Sequence, residues 1–85
     1  LEKELLEKDI TIVVDPPRAG MNNELIKSII QLRPKNLIYI SCNPVTQARD
    51  LIELKEYYKI EFIQPVDMFP QTFHIENIAI LKLFS

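Results

Sequence analysis

Two short runs of β-branched and aliphatic residues, Ile10-Thr11-Ile12-Val13-Val14 and Asn36-Leu37-Ile38-Tyr39-Ile40-Ser41-Cys42, each stop at a proline-bearing turn and give way to a helical period. No other feature constrains the fold as much. Runs of this length without polar alternation read as strands buried on both faces of a parallel sheet. The segment between them is long enough to carry the crossover helix that parallel strands require.

The first turn, Asp15-Pro16-Pro17-Arg18-Ala19-Gly20, loses two backbone donors at its prolines and gains a permissive residue at Gly20, so it reads as a loop at the strand's C-terminal end. Asn22 or Asn23 then caps a helix whose apolar residues Leu25, Ile26, Ile29, Ile30 and Leu32 recur at helical spacing, closed by Arg33-Pro34. Beyond the second run, Asn43-Pro44 has the form of an N-cap followed by proline at the first helical position. That helix is expected to pack through Ala48, Leu51, Ile52 and either Leu54 or Tyr58. Residues 59–66 alternate weakly as a third strand, 67–73 form a loop, and 74–84 a last strand, while 1–8 read as the end of an amphipathic helix. The order β-α-β-α-β-β predicts an α/β sheet of two or three parallel strands closed by an antiparallel hairpin, one half of a doubly wound domain.

Composition narrows the function. At 85 residues the chain is one small domain at most, and a net charge of -2 lacks the basic footprint of a free-standing nucleic-acid binder. Any nucleic acid is therefore expected to be held partly by other parts of a protein. Apolar runs fall far short of the roughly 20 residues that span a bilayer, so no membrane partner is expected. A single Cys has no disulfide partner and fits a reducing, cytoplasmic compartment, and no metal cluster is expected. One Gly, where average usage of about 7% would give roughly six, makes neither a G-x-G-x-x-G nor a Walker loop.

Ligands of open α/β sheets bind outside the carboxyl ends of the strands. Asp15 and Cys42 stand there on the first and second strands. The last strand leaves by a short connection and must run antiparallel, which brings Glu76 to the same rim. Cys42 precedes a helix start whose free amides and dipole favour a thiolate, although a free Cys at a strand end is also an ordinary core residue. Asp15 alone fits a turn former and Glu76 a solvated strand residue. Arg49-Asp50 reads as an ordinary helix-surface pair, and Phe69 and Phe73 as loop anchors or stacking platforms.

Three motifs together are more specific: Asp15-Pro16-Pro17-Arg18-Ala19-Gly20; Tyr39-Ile40-Ser41-Cys42-Asn43-Pro44-x-Thr46-x-Ala48-Arg49-Asp50-Leu51; and Asp67-Met68-Phe69-Pro70-Gln71-Thr72-x-His74-x-Glu76. Their content and order resemble the S-adenosylmethionine-dependent RNA 5-methyluridine (uracil-5-) methyltransferases, over nearly the whole chain. The resemblance implies the C-terminal half of a Rossmann-like, class I methyltransferase catalytic domain spanning residues 1–85, with the cofactor-binding half outside them. It implies Cys42 as nucleophile and Glu76 as base. Asp15, Pro16, Pro17, Arg18, Asn43, Pro44 and His74 would line the substrate site in tRNA or rRNA modification, with Asp15 also near S-adenosylmethionine. His74 would assist proton transfer, contact RNA or orient Glu76, and Arg18 would hold a phosphate or brace the loop.

Carbon 5 of uracil is a poor nucleophile. A thiolate that adds to carbon 6 leaves an enolate whose carbon 5 attacks a methyl donor, after which a carboxylate must remove the carbon-5 proton. The uracil must also leave its stack to reach the thiol. Two other classes remain: a non-catalytic half-domain that binds RNA or protein, and methylation of an exocyclic amine at the Asp15 loop, which leaves Cys42 and Glu76 without roles. On the half-domain reading, the segment by itself is expected to be inactive, to bind no S-adenosylmethionine and to self-associate through surface the missing half would cover.

Overall fold

The computed structural model describes residues 10–67 and 75–84. Its elements are β1 (Thr11–Val14), α1 (Asn23–Leu32), β2 (Asn36–Ser41), α2 (Pro44–Leu54), β3 (Tyr58–Asp67) and β4 (Ile75–Leu83).

Each helix starts and stops for a local reason. Asn22 caps α1, its side chain accepting from the Leu25 N–H at 2.7 Å. Arg33 ends the helix in the left-handed region at φ 51° and donates its N–H to the Ile29 carbonyl at 2.8 Å. That conformation costs a non-glycine residue about 1 kcal/mol. The Arg33 guanidinium lies 5.5 Å from the Tyr57 ring centroid, a contact that offsets part of the cost. Asn43 caps α2, accepting from the Val45 N–H at 3.0 Å, with Pro44 at the first turn.

The four strands form one sheet in the order β1-β2-β4-β3. β1 and β2 are parallel, with Val14 beside Tyr39. β4 runs antiparallel to both β2 and β3, so β3 points the same way as β2 without touching it. The expected antiparallel close is present, but the last strand inserts between the second and third. β3 carries an irregularity between Ile60 and Phe62 that shifts its register against β4.

One face of the sheet holds the core. Val14, Leu37, Tyr39, Ala79 and Leu81 are buried together with Met21, Ile26 and Ile29 before and within α1, Leu51 and Leu54 of α2, and Tyr58. Tyr58 donates its hydroxyl to the Pro34 carbonyl at 2.6 Å, and burial pushes its pKa up to about 12.

The expectation of strands buried on both faces is corrected here. In β2 only Leu37, Tyr39 and Ser41 are buried, alternating with half-buried neighbours, and Val13 of β1 is 58% exposed. Both helices contribute to the core on one side, so among the described residues the other side keeps an open apolar surface that includes Val13 and Phe62. The packed side of α2 also differs from expectation. Ala48 and Ile52 are exposed, and the buried positions are Gln47, Asp50, Leu51 and Leu54. In α1, Leu25 and Leu32 are exposed while Ile26 and Ile29 are buried.

Candidate functional site

The C-terminal ends of β1 and β2 and the start of β4 meet at one edge of the sheet. Ser41, the residue before Cys42, pairs with Asn77, the residue after Glu76, and the β2–β4 pairing ends there. Directly opposed residues of an antiparallel pair lie about 5 Å apart at Cα. Asp15 follows Val14, whose partner is Tyr39, so it stands beside the last turn of chain leading to Cys42. The topology therefore brings together the acid, the thiol and the second acid that sequence reasoning singled out.

Cys42 is half-buried and free of any disulfide. The backbone around it is pinched by Ser41, whose hydroxyl donates to the Asn43 carbonyl and accepts from the Asn43 N–H, both at 2.9 Å. Asn43 then caps α2, which leaves Cys42 immediately before the positive end of a helix with no acidic residue in its first turn.

Glu76 is partly exposed as a residue, yet its Oε2 is shut off from solvent with no hydrogen-bond partner among the described residues. Asp15 is exposed and its carboxylate has no hydrogen bond among the described residues. Pro16 is half-buried and Pro17 exposed, and the Pro17 carbonyl accepts from the Gly20 N–H at 2.8 Å to close a turn. Phe69, Phe73 and His74 lie outside the described residues.

The polar face of α2 holds this turn in place, and sequence reasoning missed it. The Arg18 carbonyl accepts from Thr46 Oγ1 at 2.8 Å and from Asn43 Nδ2 at 3.1 Å. Arg49 Nη2 donates to the Ala19 carbonyl at 2.8 Å. The Asp50 carboxylate, 1% exposed, accepts from the Met21 N–H at 2.8 Å and the Tyr39 hydroxyl at 2.6 Å. Burial, reinforced by the bond to Asp50, holds the Tyr39 phenol far above its usual range, so it remains a donor. Asp50 is thus no surface residue, while Arg49, whose side chain is 56% exposed, pairs with it at 3.1 Å from the solvent side. The signal was present in the spacing: Asn43, Gln47, Asp50 and Leu54 recur every three or four residues and share one helical face.

Arg18 thus contributes its carbonyl to the loop's anchorage while its side chain stays exposed. Asn43 has both ends of its amide engaged within the chain, and Pro44 is an exposed first-turn residue.

A model of the tRNA (uracil-5-)-methyltransferase family matches residues 6–83. The chain belongs to that family. A Bacteroides thetaiotaomicron protein named as an uncharacterized RNA methyltransferase is 53% identical over 72 residues, which cover 85% of this chain and 16% of that protein. A Listeria innocua protein of the same description is 54% identical over 71 residues, covering 84% and 16%. In crystal form, the Pyrococcus abyssi tRNA (uracil-54, C5)-methyltransferase in complex with S-adenosyl-L-homocysteine superposes with a TM-score of 0.73 at 46% identity, covering 84% of this chain and 18% of that one. The chain therefore spans about one-sixth of the length of the curated relatives it matches.

The single glycine of the chain packs against α2: a Cβ at Gly20 would meet Arg49 Nη2 at 2.7 Å and Asp50 Oδ2 at 2.8 Å. Among the described residues no helix is long and apolar enough to cross a membrane.

Proposed function

We propose that this segment supplies the uracil-activating chemistry of an RNA (uracil-5-)-methyltransferase. In this reading it is the C-terminal part of a Rossmann-like catalytic domain whose cofactor-binding half lies outside it. The observation that supports the reading is the pairing of Ser41 with Asn77, which brings the end of β2, one residue before Cys42, beside the residue after Glu76, at the edge where β1 leads into Asp15.

The Cys42 thiolate adds to carbon 6 of a flipped-out uridine in tRNA or rRNA, and the electron pair of the carbon 5–carbon 6 double bond moves toward the carbonyl to give an enolate. S-adenosylmethionine, consumed as co-substrate and held mainly by residues outside this segment, supplies the methyl group that carbon 5 takes up. Glu76 then removes the carbon-5 proton, the double bond re-forms, and the thiolate leaves. Asp15 hydrogen-bonds the base or its sugar from the turn that α2 holds in place, and His74 orients Glu76. A cytoplasmic, reducing setting keeps the thiol available.

The test uses the full-length protein that carries this segment, mixed with S-adenosylmethionine and RNA containing 5-fluorouridine. Fluorine cannot leave as a proton does, so a covalent protein–RNA adduct is expected, mapping to Cys42 by mass spectrometry and absent in Cys42→Ala. Methylation that persists in Cys42→Ala would overturn the reaction and favour a binding role for this segment.

The open apolar side of the sheet, with Val13 58% and Phe62 47% exposed, supports the view that further chain covers it in the full-length protein. The 85-residue segment alone is accordingly expected to bind no S-adenosylmethionine, to be inactive and to self-associate. Sedimentation of the segment across a concentration series checks the last point, and a monomer at every concentration would count against it.

A further inference from the structure

Gln47 is 2% exposed, and its amide spans two strands. Its Nε2 donates to the Tyr39 carbonyl on β2 and to the Asn77 carbonyl on β4, both at 3.1 Å. Both contacts lie just inside the rim: Tyr39 is three residues before Cys42, and Asn77 is the residue after Glu76. The helix that carries Gln47 begins two residues after Cys42 and is tied there by the Ser41–Asn43 pair and the Asn43 cap. The amide is therefore fixed in the frame of Cys42 and reaches from it to the backbone beside Glu76.

Among the described residues, nothing comparable holds the Glu76 Oε2. That atom is buried without a hydrogen-bond partner among them, so the placement of its strand bears directly on where the carboxylate stands. A strap one residue away sets that placement.

We infer that Gln47 is a positioning residue for Glu76, fixing the start of β4 relative to Cys42 and thereby the proton-removal step; the inference rests on the reaction proposed above. In that step the Glu76 carboxylate takes the carbon-5 proton of the methylated adduct. The carbon–hydrogen electron pair becomes the carbon 5–carbon 6 double bond, and the carbon 6–sulfur bond breaks, its pair returning to Cys42 as thiolate. Proton transfer demands hydrogen-bond reach, roughly 2.6–3.2 Å between heavy atoms, and a displacement of about 1 Å costs on the order of a hundredfold in rate. Addition by Cys42 depends on the α2 start itself, which keeps its own anchors when the strap is cut.

The experiment compares Gln47→Met, which keeps the volume and removes both donors, with the unsubstituted full-length protein on two RNAs. With 5-fluorouridine RNA, adduct should form within about twofold of the unsubstituted rate. With ordinary RNA and S-adenosylmethionine, turnover should fall at least tenfold, on the order expected for a misplaced base, and a methylated protein–RNA adduct that survives denaturing gels should accumulate. Gln47→Asn, whose amide is one methylene too short to bridge the strands, should do the same and decides the matter if Gln47→Met does not fold. Equal slowing on both RNAs, or no change on either, overturns the inference while leaving the reaction standing. A failure of the unsubstituted protein to form any adduct overturns the reaction and the inference with it.

Discussion

Glu76→Gln in the full-length protein should convert turnover into trapping. On the proposed mechanism an amide cannot accept the carbon-5 proton, so addition and methyl transfer proceed but the double bond cannot re-form and the sulfur cannot leave. Steady-state methylation should fall by about 10²–10⁴, the usual contribution of a positioned general base. Nearly all the enzyme should end as a methylated adduct on ordinary uridine RNA, with no fluorine needed to hold it. Stability should stay close to that of the unsubstituted protein, because the buried Oε2 makes no hydrogen bond among the described residues for the substitution to break. The two readouts separate chemistry from folding. Turnover near the unsubstituted rate with no trapped RNA would assign the base to another group. The effect of Gln47→Met would be a weaker form of the same trapping, since it moves the carboxylate rather than removing it.

Gly20→Ala should lower the unfolding free energy by about 3 kcal/mol, and two causes add. Gly20 sits at φ +85°, where a residue with a Cβ carries about 1–2 kcal/mol of strain. The added methyl would also lie 2.7 Å from Arg49 Nη2 and 2.8 Å from Asp50 Oδ2. Arg49 is long and largely exposed and swings aside at little cost. Asp50 is short, buried and held by the Met21 N–H and the Tyr39 hydroxyl, so moving it weakens hydrogen bonds to a charged group worth about 1.5–3 kcal/mol. Denaturant unfolding gives the total, and a double-mutant cycle with Asp50→Ala isolates the clash. A coupling above about 1 kcal/mol is expected for groups in contact. Strict additivity would place the cost in backbone strain alone.

Much of the fold was legible because its signals are local. The β-branched runs at 10–14 and 36–42, the Asn43-Pro44 helix start and the Arg33-Pro34 stop each depend on steric and capping preferences of a few neighbouring residues, and these elements appeared within about two residues of their expected bounds, while the helix expected over 1–8 lies outside the described residues. The candidate site was legible for the same reason: strand ends can be located from runs and turns, and short connections dictate antiparallel direction. The end of β1, which leads into Asp15, the end of β2, which leads into Cys42, and the start of β4, which carries Glu76, therefore share one edge of the sheet.

Burial was less legible. Apolar residues at 13, 48 and 52 looked like core, but which side of a strand or helix is covered depends on where its neighbours dock. The polar residues of α2 show the converse. Asp50 and Gln47 resemble ordinary surface residues until the Met21 N–H, the Tyr39 hydroxyl and the Asn77 carbonyl arrive from segments as many as 30 residues away and satisfy them. By itself the sequence determined the elements, their order and the motif residues at their ends, because backbone sterics and capping act within a few residues. Only the tertiary structure decided that β4 enters between β2 and β3, that both helices share one face, and that the inner face of α2 straps the loop and strands of the site together, because hydrogen bonds between distant segments exist only once the chain has closed.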